Sequence, residues 1–282
     1  MTEIICLANS RKHNNRCIAG INFNTGEWIR PVTNEEDGHV PTNLTVVSGE
    51  PIETLDKIDI PISQEKGNGH ESENRLILSG LWTRSGQAKP ADLLRFRETN
   101  LLHYQQEDWL NAIPYSYLLS LPRHKRRTLQ LMQTEDFKCF KTQYGKWKGS
   151  IPIGNYDKTL VANITDPEMC KLLDLGHTIS SSCLVILSLA QPWQKADSDN
   201  EPMCYRLIVG VIELSGYQFC PIADLIEKTD QEIQRIGWSV EQARDYLNRN
   251  FQKRSRTLLD FRELRDFLNH LKQLPNSNDD LF

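Results

Sequence analysis

Trp28 and Arg30 stand two residues apart in the run Glu27-Trp28-Ile29-Arg30-Pro31-Val32. On a strand, that spacing puts both side chains on one face. An indole beside a guanidinium suits stacking on a base and holding a phosphate. An ordinary core tryptophan and a surface ion pair would use the same residue types. Arg11, Lys12 and Arg16 crowd the polar turn just upstream, within Asn9-Ser10-Arg11-Lys12-His13-Asn14-Asn15-Arg16. Lys146-Trp147-Lys148 interleaves bases with an aromatic, as a single-strand platform does, and as a hairpin tip with a half-buried Trp also would. Lys253, Arg254 and Arg256 fall between two helix patterns, where they can hold a phosphate or cap the carbonyls of the preceding helix. Arg123-His124-Lys125-Arg126-Arg127 reads as a solvated charge run or a phosphate contact.

Catalytic chemistry is harder to find. The sequence has no G-x-S-x-G elbow, no G-x-x-x-x-G-K-[ST] loop and no H-E-x-x-H pair. Asp166, before Pro167, is a candidate general base, although Thr-Asp-Pro is also an ordinary turn or helix start. Seven cysteines are scattered singly, mostly in apolar runs, without C-x-x-C spacing. They read as buried thiols of a reducing compartment rather than disulfides or metal ligands. The expectation is a binding protein without a cofactor or metal, not an enzyme.

These residues need elements to hold them. Strand-like runs cover 3–8, 17–23 and 27–32, with Asn24-Thr25-Gly26 as the hairpin turn between the last two. Runs at 58–62 and 76–78 follow, with the polar stretch 63–75 read as an exposed loop. Residues 91–96 and 104–113 have helix-like patterns and predict a helical connector. Strands resume at 139–141, 160–164, 183–189 and 205–214. The tail is helical: Thr229-x-x-Glu232, Ser239-x-x-Gln242 and Asp260-x-x-Glu263 have capping-box form, and the apolar positions behind the last two follow helical spacing. Three helices are expected from about 229 to 273. Residues 16–32 also lie over 206–222 without a gap, matching Arg16 with Arg206, Gly20 with Gly210, Gly26 with Gly216 and Pro31 with Pro221. That match reads either as two copies of one β-rich unit or as the generic likeness of strand-Gly-strand hairpins.

Composition sets bounds. The 282 residues are 39% hydrophobic and 25% charged, a globular balance. No apolar run nears the roughly 20 residues needed to cross a bilayer, and the first residues lack a signal-peptide pattern, so a cytoplasmic protein is expected. The formal net charge of -4 argues against an overall basic coat while leaving room for a local basic groove.

The runs Cys6-Leu7-Ala8-Asn9-Ser10-Arg11-Lys12, Arg16-Cys17-Ile18-Ala19-Gly20 and Gly26-Glu27-Trp28-Ile29-Arg30-Pro31-Val32 resemble the opening of prokaryotic dual OB-containing proteins. Ile164-Thr165-Asp166-Pro167 and Cys204-Tyr205-Arg206-Leu207-Ile208-Val209-Gly210 are similar too, so the resemblance covers roughly residues 1–222. The tail from Gly237 resembles a small helical module appended to varied bacterial proteins. The resemblance implies a mainly β fold with helical additions (α+β): two OB-like barrels at 1–85 and 136–222, a helical connector at 86–135, and a three-helix module at 223–282. In an OB barrel the turn carrying Arg11, Lys12 and Arg16 flanks the ligand groove. The resemblance further implies a nucleic-acid-binding or -sensing role, with single-stranded DNA or RNA across the first barrel, in a bacterial defence setting. The alternative is an adaptor that docks protein partners, through the C-terminal helices among other surfaces.

Overall fold

The computed structural model describes residues 1–12, 15–35, 38–66, 70–154, 158–195, 200–214, 222–259 and 261–276. The chain forms two compact units, Met1–Lys171 with Ile179–Gly216, and Leu172–Thr178 with Tyr217–Phe282.

The first unit opens with β1 (Thr2–Lys12), β2 (Asn15–Ile21) and β3 (Trp28–Val32), an antiparallel meander. The β2–β3 turn is the expected one, with Gly26 at φ 73°. A 3-10 turn at Thr42–Thr45 and the two-residue strands β4 (Val46–Val47) and β5 (Glu50–Pro51) lead to β6 (Asp56–Ile60). β7 (Ile62–Lys66), β8 (Asn74–Ile77) and β9 (Thr83–Gln87) complete the sheet. β6 pairs with β1, β7 pairs with β8, and β8 runs parallel to β3. Only Pro61 separates β6 from β7, so they are one strand bent where proline withholds a ladder donor. Counting them as the fourth strand, the ring closes in the order 1-2-3-5-4-1, the order of an OB barrel.

The second barrel closes the same way. Its strands are β11 (Leu129–Thr134), β12 (Lys138–Lys141), β13 (Trp147–Ile153), β14 (Lys158–Ile164), β15 (Cys183–Leu189) and β16 (Met203–Glu213). β11 and β12 are two halves of the first strand: β11 pairs with β15, and β12 pairs with β13. β14 lies parallel to β16, and the helix α2 (Pro167–Asp174) follows the third strand. Between the barrels run a 3-10 turn at Pro90–Phe96, another at Glu107–Trp109, β10 (Ala112–Pro114) and the short α1 (Tyr115–Ser120). The connector is therefore mostly 3-10 turns and extended chain rather than the expected helices. Its last piece, β11, is barrel: pairing with β15 on one side overrides the local pattern.

The internal repeat does not survive the topology. Residues 16–21 form the second strand of one barrel, whereas 206–211 belong to the fifth strand of the other. The downstream matches at 216 and 221 lie outside the described residues.

Period-two alternation sorts the first barrel's residues. Ile4, Cys6, Ile18, Ile29, Ile58 and Ile60 fill its interior. Ile5, Leu7, Ala19, Ile21 and Trp28 point outward into a separate cluster, completed by Leu129, Leu131, Leu184, Ile186, Val209 and Ile212 of the second barrel. The outer face of strands one to three of the first barrel thus lies against strands one, four and five of the second. Gly210 permits the approach, since a Cβ there would stand 2.3 Å from the Leu7 carbonyl oxygen.

The second unit contains α3 (Ile222–Ile236), α4 (Val240–Phe251) and α5 (Phe261–Gln273) around Leu247, Leu264, Phe267, Leu268 and Leu271. Ser239 and Gln242 form the expected capping box. Thr229 does not start a helix; it lies inside α3, buried, its hydroxyl bonded to the Ile226 carbonyl. Asp260 lies outside the described residues.

Candidate functional site

Burial overturns the expected site on the first barrel. Trp28 is 5% exposed among the aliphatic side chains of both barrels. Arg30 is 4% exposed. Its guanidinium pairs with Glu71 at 2.7 Å and donates to Thr128 Oγ1 at 3.0 Å, Ser188 Oγ at 3.3 Å and Asn74 Oδ1 at 3.3 Å. Beside it, the buried Glu73 carboxylate accepts from the backbone N–H groups of Thr128 and Leu129 at 2.5 and 2.7 Å. The stretch 63–75 is therefore not simply an exposed loop: Glu71 and Glu73 belong to a polar knot tying the two barrels. Freeing the face would expose Ile5, Leu7, Ile21 and Trp28, at roughly 1.5–3 kcal/mol for each large side chain. That loss approaches the whole stability of an ordinary domain, so the first barrel has no open face for a ligand there.

The second barrel keeps its corresponding face uncovered on β12 and β13. Register places Phe140 beside Lys148 and Lys138 beside Ser150, and across the next ladder Lys148 beside Asn163. Gly149, Ile151 and Ile153 alternate with these toward the interior, so Phe140, Lys148 and Asn163 form an outward row over strands one to three. Phe140 is 45% exposed, and Tyr144 at the hairpin tip is 81% exposed. The tip is a tight turn: Thr142 N donates to the Lys146 carbonyl at 2.8 Å, and Gly145 takes φ 75°. The Lys141 ammonium sits 5.6 Å from the centre of the half-buried Trp147 ring. Between Phe137 and Ile153 there are four lysines and no carboxylate. Lys138 does meet Asp136, at 3.0 Å. Of the lysine–tryptophan–lysine run, Lys148 thus lies on the open OB face and Lys146 at its hairpin tip, whereas the half-buried Trp147 alternates with Lys148 onto the side of Gly149 and Ile151. Phe140, Tyr144 and Asn163 are not marked by any sequence motif. Their signal was the alternation of Lys138, Phe140, Lys146 and Lys148 about the Gly145 turn.

At the other end of the barrel, the loop joining the fourth and fifth strands presents Trp193, its ring 6.0 Å from that of Tyr205, both exposed.

Of the remaining candidates, Arg11 is exposed near the end of β1, and its backbone N–H donates to the Thr165 carbonyl at 3.1 Å. Arg16 is half-buried and donates to the Asn9 carbonyl at 3.5 Å. The Lys12 side chain lies outside the described part of the molecule. In the tail, Lys253 pairs with Glu263, and Arg256 pairs with Asp230 at 2.5 Å and donates to Thr229 at 3.0 Å. These two are ties between helical segments rather than an open phosphate site; Arg254 is exposed. In the connector, Arg126 donates to the carbonyls of Leu119 and Leu121, and Arg127 pairs with Glu98.

Asp166 is the N-cap of α2, accepting from the backbone N–H groups of Glu168 and Met169 at 3.0 and 3.1 Å. Burial pushes its carboxyl up to about 6, against the pull of those bonds and of Arg16. Among the described residues no cluster of His, Cys, Asp or Glu could hold a metal ion, and no helix is long and apolar enough to cross a membrane.

A family model described as the dual OB-containing domain matches residues 2–211. A curated protein of Synechocystis sp., described as uncharacterized, is 39% identical over 56 residues. That match covers 20% of this chain and 19% of the other, about a fifth of each. Among solved structures, the crystal structure of the p204 HINb domain covers 74% of this chain and 96% of its own, at 10% identity and a TM-score of 0.29. At that score the likeness carries no argument.

Proposed function

On the premise that this chain belongs to the dual OB-containing domain family, we propose that it binds single-stranded nucleic acid across the open face of its second barrel. The observation that carries this reading is the outward row Phe140, Lys148 and Asn163, beneath a hairpin tip bearing Tyr144 and Lys146. OB barrels take oligonucleotides on the face of strands two and three, flanked by the loops after the first and fourth strands. Exposed rings supply base stacking without sequence preference, and ammonium groups track the phosphates. Phe140 and Tyr144 would stack, Lys146 and Lys148 would neutralise phosphate, and the Asn163 amide would reach a base edge or sugar. The role is one of binding or sensing rather than catalysis. A place in a bacterial defence system would suit such a role.

The test is a fluorescence anisotropy titration with labelled oligothymidylate at low and moderate salt. Stacking is worth roughly 1–3 kcal/mol per base, so Phe140→Ala should weaken binding by about 5- to 160-fold. Lys148→Gln should flatten the salt dependence by about 0.7 in log–log slope. Absence of binding at low salt, or binding indifferent to both substitutions, rejects the reading.

A further inference from the structure

The open face of the second barrel does not end at Asn163. We infer that Trp193 and Tyr205 form a second base-stacking subsite at its far edge, so that one strand is held fully only when it reaches from Phe140 to Trp193; this rests on the reading above. Register carries the face across: Phe140 lies beside Lys148, Lys148 beside Asn163, and Asn163 beside Leu207 of β16. Cys204, Arg206 and Ile208 take the other side of β16 and are buried, so Tyr205 shares the outward side with Leu207. Leu207 packs against the first barrel, whereas Tyr205 is 43% exposed. Asn111 keeps the face continuous where β14 and β16 part. Its Oδ1 accepts from the Val161 N–H at 3.4 Å, and its carbonyl accepts from the Arg206 N–H at 2.9 Å. Three ladder steps of about 4.8 Å and two residues of strand, about 7 Å, separate Phe140 from Tyr205. A span of roughly 16 Å suits several nucleotides, the lower end of an OB site.

The aromatic pair is held ready. Trp193 and Met203 exchange both backbone N–H···O bonds at 2.9 Å, and the Ala190 N–H donates to the Tyr205 carbonyl at 2.7 Å. Beyond them, the Gln194 side-chain amide donates to the Asn200 carbonyl at 2.8 Å. Trp193 is 56% exposed, and its ring meets that of Tyr205 edge to face, so neither covers the other. Exposed rings on an ordered backbone lose little freedom when a base stacks on them. The loop 190–202 holds one lysine and three carboxylates, so it offers ring faces rather than phosphate contacts. The charge needed to hold the strand stays at the lysine-rich hairpin.

The experiment titrates labelled oligothymidylate of about 12 nucleotides, within the range of one OB site, into the full chain. Trp193→Ala should weaken binding by about fivefold or more, the loss of one stacked base. Its salt slope should stay that of the wild type, because no phosphate contact is lost. Trp193→Phe, which keeps a ring, should recover most of the affinity. Combined with Phe140→Ala, the two losses should multiply, as for distant contacts made by one strand. Single variants that each bind like the wild type, with binding abolished only in the double variant, would mean two alternative sites and overturn the inference. Wild-type affinity in Trp193→Ala, with Phe140→Ala impaired, overturns it and leaves the parent reading standing. So does a Trp193-dependent affinity for oligolysine alone, which assigns the pair to a cationic partner. A wild-type chain that binds no oligothymidylate overturns both.

Discussion

Replacing Trp28 with alanine should cost about 3–5 kcal/mol of stability, the usual loss for a large buried aromatic, because its ring fills the seam between the barrels. Urea denaturation of the wild type and variant checks this. A wild-type-like midpoint would mean that the indole is not packed there. Arg30→Ala should be similarly severe, about 3–5 kcal/mol, since it removes the counter-charge of the largely covered Glu71 carboxylate and the donor to Thr128 and Ser188. The Trp–x–Arg spacing was legible in the sequence, but its meaning was not. Residue type and face are local properties, whereas the covering of that face depends on strands about a hundred residues away. Asp166 illustrates a different limit. Its helix-start role follows from Thr-Asp-Pro, yet its acidity is set by the surrounding burial. Folding raises its pKa from 3.8 to about 6, so the folded protein favours the protonated form. The resulting stability is present below about pH 4 and is lost as pH rises through 6. At 1.36 kcal/mol per pH unit this amounts to about 3 kcal/mol. Asp166→Asn keeps the cap, and its melting temperature should therefore drop less than the wild type's between pH 4 and 7. Parallel curves would show an ordinary carboxyl.

Among the elements, those with local punctuation were readable. The Asn24-Thr25-Gly26 turn and the Ser239 capping box need only their own neighbours, and both form as the sequence predicts. Ser239→Ala should cost about 1 kcal/mol, visible in hydrogen exchange of α4 amides and absent from those of the barrels. β11 and the connector were not readable. Ala91–Phe96 has a helical pattern but becomes a 3-10 turn after Pro90, and Leu129–Thr134 becomes a strand only because β15 offers a ladder. The two bent strands also hid the closure: β6 with β7, and β11 with β12, each look like separate short runs in the sequence. Pro61 is the visible trace of one corner.

For the molecule as a whole, the strand and helix patterns conveyed a β-rich body with a helical tail, and the family resemblance implied two OB barrels, but neither told which barrel is open. That asymmetry predicts the behaviour of fragments. A chain ending near residue 80 would expose Ile5, Leu7, Ile21 and Trp28 to water, a contiguous apolar face of the kind that drives association. It should elute as aggregates or higher oligomers in size-exclusion chromatography. A sharp monomeric peak with a cooperative melt would show that the seam is dispensable.

The glycine at position 210 carries a genetic corollary. Its missing side chain is the space that the other barrel's first strand occupies. Enlarging it to alanine pushes on a main-chain oxygen, which no neighbouring rotamer can relieve. Compensating changes selected against such a lesion should therefore cluster some two hundred residues upstream, around Leu7 and the bulge between Cys6 and Ala8. Proximity along the chain would be a poor guide to where the repair arises.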